Sequence, residues 1–411
     1  MKKTLFVFSL LLFTGVGFSG FARAAIPWLH VEGTQIKDPN GNVVLLRGVS
    51  LIDLGHLEDW QDGAINMIDR LTDKTDTQGS SPGWYTKVIR IPIAPPDSTN
   101  PPYSWPYPFE PNDNNDLYDL LRTVVDYCAL KDLYVIIDWH YVENTWDKVA
   151  QTSEFWEYMA PKFAGDSHVI FELFNEPIND VDGDWINHAT DDWLSVRADM
   201  QTWYDIVRSY APNNLILVAG AFYSQIIGPA ASYPLTGSNI VYVSHIYPGH
   251  WLDGSWSWWY QDQITTCAAA QPVMMTEWGF CETSIYENLQ GTISEYGQPL
   301  MNFIEQHGIG NTAWVASYNW QPPMFDSNWT LRVGEGEMGG FVKDTLYERR
   351  NDDQPNPNYI NFIEYAYFAS QWLRSPCTAG NGFCEGADVD GSGEVDWLDL
   401  KMWVEAWLSK E

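Results

Sequence analysis

The chain has 411 residues, 45% of them hydrophobic, which is enough for one large α/β domain with a small companion and too apolar for a disordered protein. Acidic side chains outnumber basic ones by 54 to 22, a formal net charge of −32, so nucleic acid and anionic membrane surfaces are excluded as partners by repulsion. A neutral substrate fits that charge, and 22 tryptophans with 22 tyrosines offer flat faces with polar edges that suit sugar rings as well as core packing.

The N-terminus reads MKKTLFVFSLLLFTGVGFSGFARAA: two lysines, an apolar run too short and too early for a mature transmembrane span, then the small-x-small pattern Ala22-Arg23-Ala24. Residues 1–24 are therefore expected to be a secretory signal, with the mature chain starting near Ala25. No second apolar run of spanning length follows, so no membrane span is expected. The expected location is extracellular, where disulfides are permitted.

Short runs rich in β-branched and apolar residues then recur: VVLLRGVSL (43–51), VIRIPI (88–93), YVIIDWH (134–140), VIFELFNEP (169–177), LILVAG (215–220), IVYVSHIY (240–247), VMMTEWG (273–279) and TAWVASYNW (312–320). Near-continuous apolar runs of this length predict strands buried on both faces. Helical spacing fills the gaps, clearest where Leu117, Leu120, Leu121, Val124, Val125 and Cys128 form one stripe. Eight strands with helical crossovers predict a closed (β/α)8 TIM barrel over residues 25–350. An open doubly wound sheet competes, but no glycine-rich phosphate loop follows the first strand to favour it.

Active sites of such barrels sit at the C-terminal ends of the strands. The second run carries Arg90, the third ends in Asp138-Trp139-His140, the fourth in Asn175-Glu176, and the sixth in His245 and Tyr247. The seventh ends in Glu277-Trp278 and the eighth in Tyr318, Asn319 and Trp320. Any one of these is ordinarily a satisfied core residue, but six strands ending alike point to a site. Two glutamates across a barrel mouth are what glycosidic cleavage needs: one holds a proton for the leaving oxygen, the other attacks the anomeric carbon or activates water. Glu176 and Glu277 are the candidates. Strand parity puts Glu172 on the same face as Glu176 but about 13 Å deeper, at about 3.3 Å per residue, with a structural task inside the barrel.

LRGVSL, VIRIPI, YVIIDWH, FELFNEP, VYVSHIY and MMTEWG, in this order and spacing, resemble the strand motifs of glycoside hydrolase family 5, the cellulase and β-mannanase family, across residues 26–350. The resemblance implies that Glu176 is the general acid/base and Glu277 the nucleophile of a retaining double displacement. It implies that Asn175 hydrogen-bonds the sugar 2-hydroxyl and that Tyr247 and Arg90 hold Glu277 ionised. His140 and His245 would line the subsite. The family also carries a tryptophan platform at the end of strand eight, for which TAWVASYNWQPPMF offers Trp320, with Trp314 and Tyr318 as rivals. The stretch PGHWLDGSWSWWY (248–260) is expected to be a loop after strand six, whose Trp251, Trp256, Trp258 and Trp259 either stack on a polysaccharide or pack on one another.

Residues 351–411 read as a separate all-α module. DVDGSGEVDWLD (388–399) places Asp388, Asp390, Ser392, the backbone of Glu394, Asp396 and Asp399 at positions 1, 3, 5, 7, 9 and 12 of an EF-hand-like loop. Gly393 falls at the sharp turn, and Ca2+ is the expected structural ion. The stretch 360–373 repeats as 395–408 at an offset of 35 residues. Two loop-helix units in tandem resemble a dockerin, which implies a cohesin-like scaffold or surface protein as partner. Pro355 and Pro357 stand where the first loop needs ligands, so one calcium is expected rather than two. Phe362-Ile363 and Trp397-Leu398 are either partner-facing or core. Cys377 and Cys384 flank CTAGNGFC and are a candidate bridge, while Cys267 and Cys281 would be held about 20 Å apart by the strand between them. Cys128 is expected to be a buried thiol.

The expected function is a secreted retaining endo-β-1,4-glycanase acting on plant polysaccharide, first of all cellulose or β-glucan, with no catalytic cofactor. A β-mannanase of the same family is the near alternative. A non-catalytic carbohydrate-binding or scaffold-attached protein is the alternative of a different class, and the presence of both glutamates speaks against it.

Overall fold

In the computed structural model the described residues are 26–96, 109, 115–252, 254–351, 372–373, 375–378, 388 and 392–408. The expected signal segment lies outside them, as do Asp390, Cys384 and the whole of 352–371, which includes Pro355, Pro357 and Phe362-Ile363.

Eight parallel strands close into a barrel, each paired with the next and the last with the first. They are β1 (Arg47–Ser50), β2 (Val88–Ile93), β3 (Tyr134–Trp139), β4 (Val169–Glu172), β5 (Ile216–Ala219), β6 (Ile240–His245), β7 (Val273–Glu277) and β8 (Gly310–Ala313). Every residue in them is buried, which explains why the runs read as apolar without alternation. Helices cover the outer face. The stripe predicted around Leu117 belongs to α1 (Asn115–Leu130), and it buries Leu117, Leu121, Val124, Val125 and Cys128.

Inside the barrel, parity assigns alternate residues to the interior. Val88, Tyr134, Ile136, Ile170, Leu217, Val241, Val243 and Met274 form one apolar cluster with Leu29 and Ile36 of an N-terminal hairpin (His30–Glu32 with Gln35–Lys37). Two residues further along the same strands stand Arg90, Asp138, Glu172, His245 and Thr276. The interior therefore changes from hydrocarbon to a buried polar layer at the C-terminal end, and that layer is the floor of the site.

Three expectations are corrected. The fourth strand stops at Glu172, and Glu176-Pro177 instead pairs in parallel with Val142-Glu143 as a short ribbon above the barrel. The eighth strand is Gly310–Ala313, not 312–320. Its continuation turns at Ser317, whose hydroxyl accepts the amides of Asn319 and Trp320 at 3.2 and 3.1 Å and so takes backbone donors away from the ladder. The tryptophan-rich stretch after β6 is not a loop: it forms α2 (Pro248–Trp251) and the start of α3 (Gly254–Ala268). Pro248 opens α2, and the ring Nδ1 of His250 accepts the Tyr247 amide at 3.2 Å, closing the helix start.

Candidate active site

Arg90 is the hub of the polar floor. Its guanidinium is fully buried; Nε donates to Glu172 Oε2 at 2.7 Å, Nη1 to Glu277 Oε1 at 2.7 Å, and Nη2 to Asn175 Oδ1 at 2.7 Å. Nη2 also lies 3.0 Å from Asp138 Oδ2. One planar cation thus fixes groups from β3, β4, β7 and the segment after β4, a task that suits the five-donor fork of arginine and not a lysine. Burial disfavours its charge, but Asp138, Glu172 and Glu277 outweigh burial and hold the guanidinium well above its ordinary pKa.

Glu277 and Glu176 receive different company. The oxygens of Glu277 accept from Arg90 and from the Tyr247 hydroxyl at 2.9 Å. Among the described residues Glu176 has no lysine or arginine in contact; its Oε1 lies 2.9 Å from His245 Nδ1. Burial raises its pKa to about 7, with His140 and Arg90 pulling the other way. His245 is itself pushed down to about 4 by burial, and its Nε2 lies 2.9 Å from the Thr276 hydroxyl, which donates to Glu172 Oε1 at 2.7 Å. One oxygen of Glu176, one of Glu277 and a ring nitrogen of His245 all lie within 4.8 Å of one another.

Glu172 is close to Glu176 and not about 13 Å below it. The two carboxylates approach the two nitrogens of one imidazole, Glu172 at 3.9 Å from Nε2 and Glu176 at 2.9 Å from Nδ1. The extended-strand estimate fails because the chain leaves the sheet after Glu172, with the Asn175 amide turning to Trp139 O and the Glu176 amide to Tyr141 O. Exposure separates their tasks: Glu172 is sealed at 0%, whereas 15% of the Glu176 side chain reaches the cleft.

Above the floor lies an open cleft of about 1050 Å³, lined by Glu176, Glu277, His140, Asn175, His245 and Tyr247 among others. Trp314 and Trp320 both line it, and Tyr318 does not. Trp314 stacks on His140 (ring centroids 5.4 Å apart, planes 12° apart), and Trp320 meets the edge of His56 at 5.7 Å. Trp251, Trp258 and Trp259 do not line the cleft, and the Trp256 side chain lies outside the described residues; from that stretch Tyr260 does line it. Trp251 packs on Phe303 and Trp259 on Trp185, while Trp258 points to solvent, 70% exposed.

Sequence reasoning reached Asp138 only as a strand-end polar group and missed Thr276. Asp138 Oδ2 lies 2.6 Å from His140 Nδ1, and burial, against the pull of Arg90, raises its pKa to about 7. Both were findable by counting two residues from an interior apolar position on the same strand.

Comparison with known proteins agrees with this geometry. The family model described as cellulase (glycosyl hydrolase family 5) matches residues 38–320. The chain belongs to that family. Among relatives, it is 26% identical over 360 residues to an endoglucanase of Clostridium saccharobutylicum, covering 84% of this chain and 70% of that one. It is 25% identical to endoglucanase E-5 of Thermobifida fusca, covering 70% of this chain and 55% of that one. The fold matches a β-glucanase of Saccharophagus degradans solved in complex with cellotetraose, at a TM-score of 0.65 and 20% identity, over 79% of this chain and 94% of that one. As a family 5 cellulase the chain is a glycoside hydrolase of a family that needs no catalytic cofactor. No helix among the described residues is long and apolar enough to cross a membrane.

In the tail, Asp388 is 5% and Asp399 0% exposed. The Asp388 carboxylate accepts the amides of Ser392 and Gly393 at 2.9 and 3.0 Å, and Asp399 accepts the Asp396 amide at 2.8 Å. Gly393 takes φ 99°, a left-handed turn natural only to glycine, and a helix starts at Trp397. Two buried carboxylates closing a turn of this kind suit a hard, oxygen-bound cation. Cys377 is disulfide-bonded, and Cys128, Cys267 and Cys281 are free and buried.

Proposed function

We propose that the chain is a secreted retaining endo-β-1,4-glucanase acting on cellulose or a related β-glucan. The observation that carries it is the pairing of Glu176 and Glu277, with oxygens within 4.8 Å around His245. Carboxyl groups about 5 to 5.5 Å apart leave no room for a water between them and the sugar, so the second carboxylate itself attacks. Glu176, whose pKa of about 7 keeps it protonated at mildly acid pH, protonates the leaving oxygen as Glu277 bonds to the anomeric carbon. Glu176, now a carboxylate, then takes a proton from the water that releases the sugar from Glu277. Arg90 and Tyr247 aim Glu277 and Asn175 is positioned for the 2-hydroxyl, where hydrogen bonds tighten in the transition state. Trp314 and Trp320 supply ring-stacking faces.

The endo-glucanase assignment is supported by the relatives' names and by the open cleft, which admits a chain at any point along its length. The leader-like residues 1–24 support secretion, and residues 351–411 are assigned to a dockerin-like module. Asp388, Asp390, Ser392, Glu394, Asp396 and Asp399 would hold its Ca2+, and a cohesin-like protein would be its partner.

The deciding experiment is proton NMR of the first products from cellotetraose, combined with rates on carboxymethyl cellulose, mixed-linkage glucan, xyloglucan and mannan. A β-anomer formed before mutarotation is expected, with glucans cut. An α-anomer would replace retention by inversion, and cleavage of mannan alone would make the enzyme a β-mannanase.

A further inference from the structure

The segment that leads from the acid/base strand into the helix α4 (Ala189–Tyr210) reads DVDGDWINHATDD over residues 180–192 and contains five aspartates. Asp180, Asp182 and Asp184 occupy its first, third and fifth places, and the helix opens at the tenth, the same offset at which Trp397 opens the tail helix behind Asp388. The segment departs from the tail loop in placing its glycine fourth, at Gly183 with φ 82°.

A second observation is independent of that pattern. Asp192 is fully buried; its Oδ1 accepts the Val181 amide at 2.7 Å, which seats the carboxylate beneath the loop, and its Oδ2 has no hydrogen-bond partner among the described residues. A buried carboxylate oxygen with nothing donating to it is costly. Burial pushes its pKa up, the Val181 amide pulls it down, and the like charges of Asp180, Asp182 and Asp191 push it up further. The one cationic side chain in the segment, His188, is engaged with Asp182.

We propose that residues 180–192 hold a calcium ion, with Asp192 Oδ2 and the carboxylates of Asp180, Asp182 and Asp184 as its oxygen ligands. Asp180 accepts the Gly183 amide at 2.7 Å, and Asp184 accepts from the Asn187 side chain at 3.0 Å. Each carboxylate has further lone pairs, so closing on an ion needs side-chain rotation and not a new backbone path. Among the described residues, the acidic and imidazole groups gathered within one coordination sphere are those around Glu176, so the 180–192 carboxylates would have to rotate inward to take the ion. An all-oxygen set in an adaptable loop suits Ca2+; Mg2+ demands a near-ideal octahedron, and Zn2+ prefers nitrogen and sulfur.

The ion would act on the cleft through Trp185, which lies inside the loop. Its indole stacks on Phe222 at 4.5 Å and 15° and meets the edge of Trp259 at 5.2 Å. Phe222 lines the cleft, so an ordered loop fixes part of the wall beyond Glu176.

The test uses the full chain stripped with EDTA and titrated with CaCl2 by calorimetry. D182N/D184N, a substitution of two rim residues, should lower the number of bound ions by one. Asp388→Asn reports separately on the tail loop, so failure of either site leaves the other standing. Asp192→Asn, isosteric and uncharged, should reduce the rise in Tm that calcium produces. Terbium luminescence excited through tryptophan gives a third reading, falling in Trp185→Phe and surviving in Trp397→Phe. The same ion count in D182N/D184N as in the parent chain would overturn the proposal, as would terbium emission that survives Trp185→Phe and vanishes in Asp388→Asn.

Discussion

The surroundings of Glu277 and Glu176 are built on opposite plans within one cleft. Around Glu277 the barrel supplies a guanidinium and a phenol, both donating. Around Glu176 it supplies an imidazole whose own pKa burial has pushed down to about 4 and, among the described residues, no lysine or arginine in contact. Two residues of the same chemistry are thereby given different partners: Glu277 accepts at both oxygens, and Glu176 is raised to about 7 by burial. The difference comes from which strand carries Arg90 and how far its fork reaches, and not from the glutamates themselves.

Removing each carboxylate is the strongest way to break this comparison. Glu277→Ala should lower kcat by more than about 10⁴-fold on every glucan, because the proposed mechanism makes Glu277 the nucleophile. Glu176→Ala should cost about 10² to 10⁴-fold on cellotetraose but far less on an aryl glycoside whose leaving group needs no proton. Equal losses on both substrates would remove the distinction between the two sites.

Arg90→Met tests what holds the plan together. It leaves Asp138, Glu172 and Glu277 buried without their cation, so a loss of about 3 to 5 kcal/mol is expected in chemical denaturation, with activity lost in whatever still folds. A mild effect would mean that water or protonation replaces the guanidinium.

The pH dependence sharpens the comparison. As the proposed general acid, Glu176 has to be protonated to act, and its pKa of about 7 predicts that kcat falls as pH rises through about 7, towards tenfold per pH unit. Its folded pKa lies above the ordinary carboxylate value, so the stability it contributes is full at low pH and is lost as pH rises through about 7; the same holds for Asp138. Glu176→Gln should abolish the alkaline limb on activated aryl glycosides. Persistence of that limb would assign it to Asp138.

The smallest effect is expected at the aromatic wall. Trp320→Ala should raise KM roughly 3- to 10-fold with kcat little changed, since stacking holds the ground state and the transition state alike. Trp314→Ala should also lower kcat, because His140 loses the face it packs on.

Much of this was legible in the chain. Eight doubly buried strands announce themselves by composition, and the polar residues at their ends mark the site because an ionisable group at the end of an apolar strand has to be paired or used. The features that were not legible depend on where a strand stops. Nothing local to FELFNEP says that the sheet ends at Glu172, and TAWVASYNW runs on in apolar character past the turn that Ser317 makes. The tryptophans at 251–259 look like a binding surface by number, yet the helices that carry them face most of them away from the cleft.

Sequence by itself determined the barrel and the strand-end residues, Glu176 and Glu277 among them, because periodicity and residue type are properties of the chain. Tertiary structure decided the rest: that one arginine reaches four partners, that Glu172 and Glu176 share one histidine, and that burial lifts Glu176 to about 7. Those outcomes depend on distances between strands far apart in sequence and on burial, which exist only once the barrel has closed.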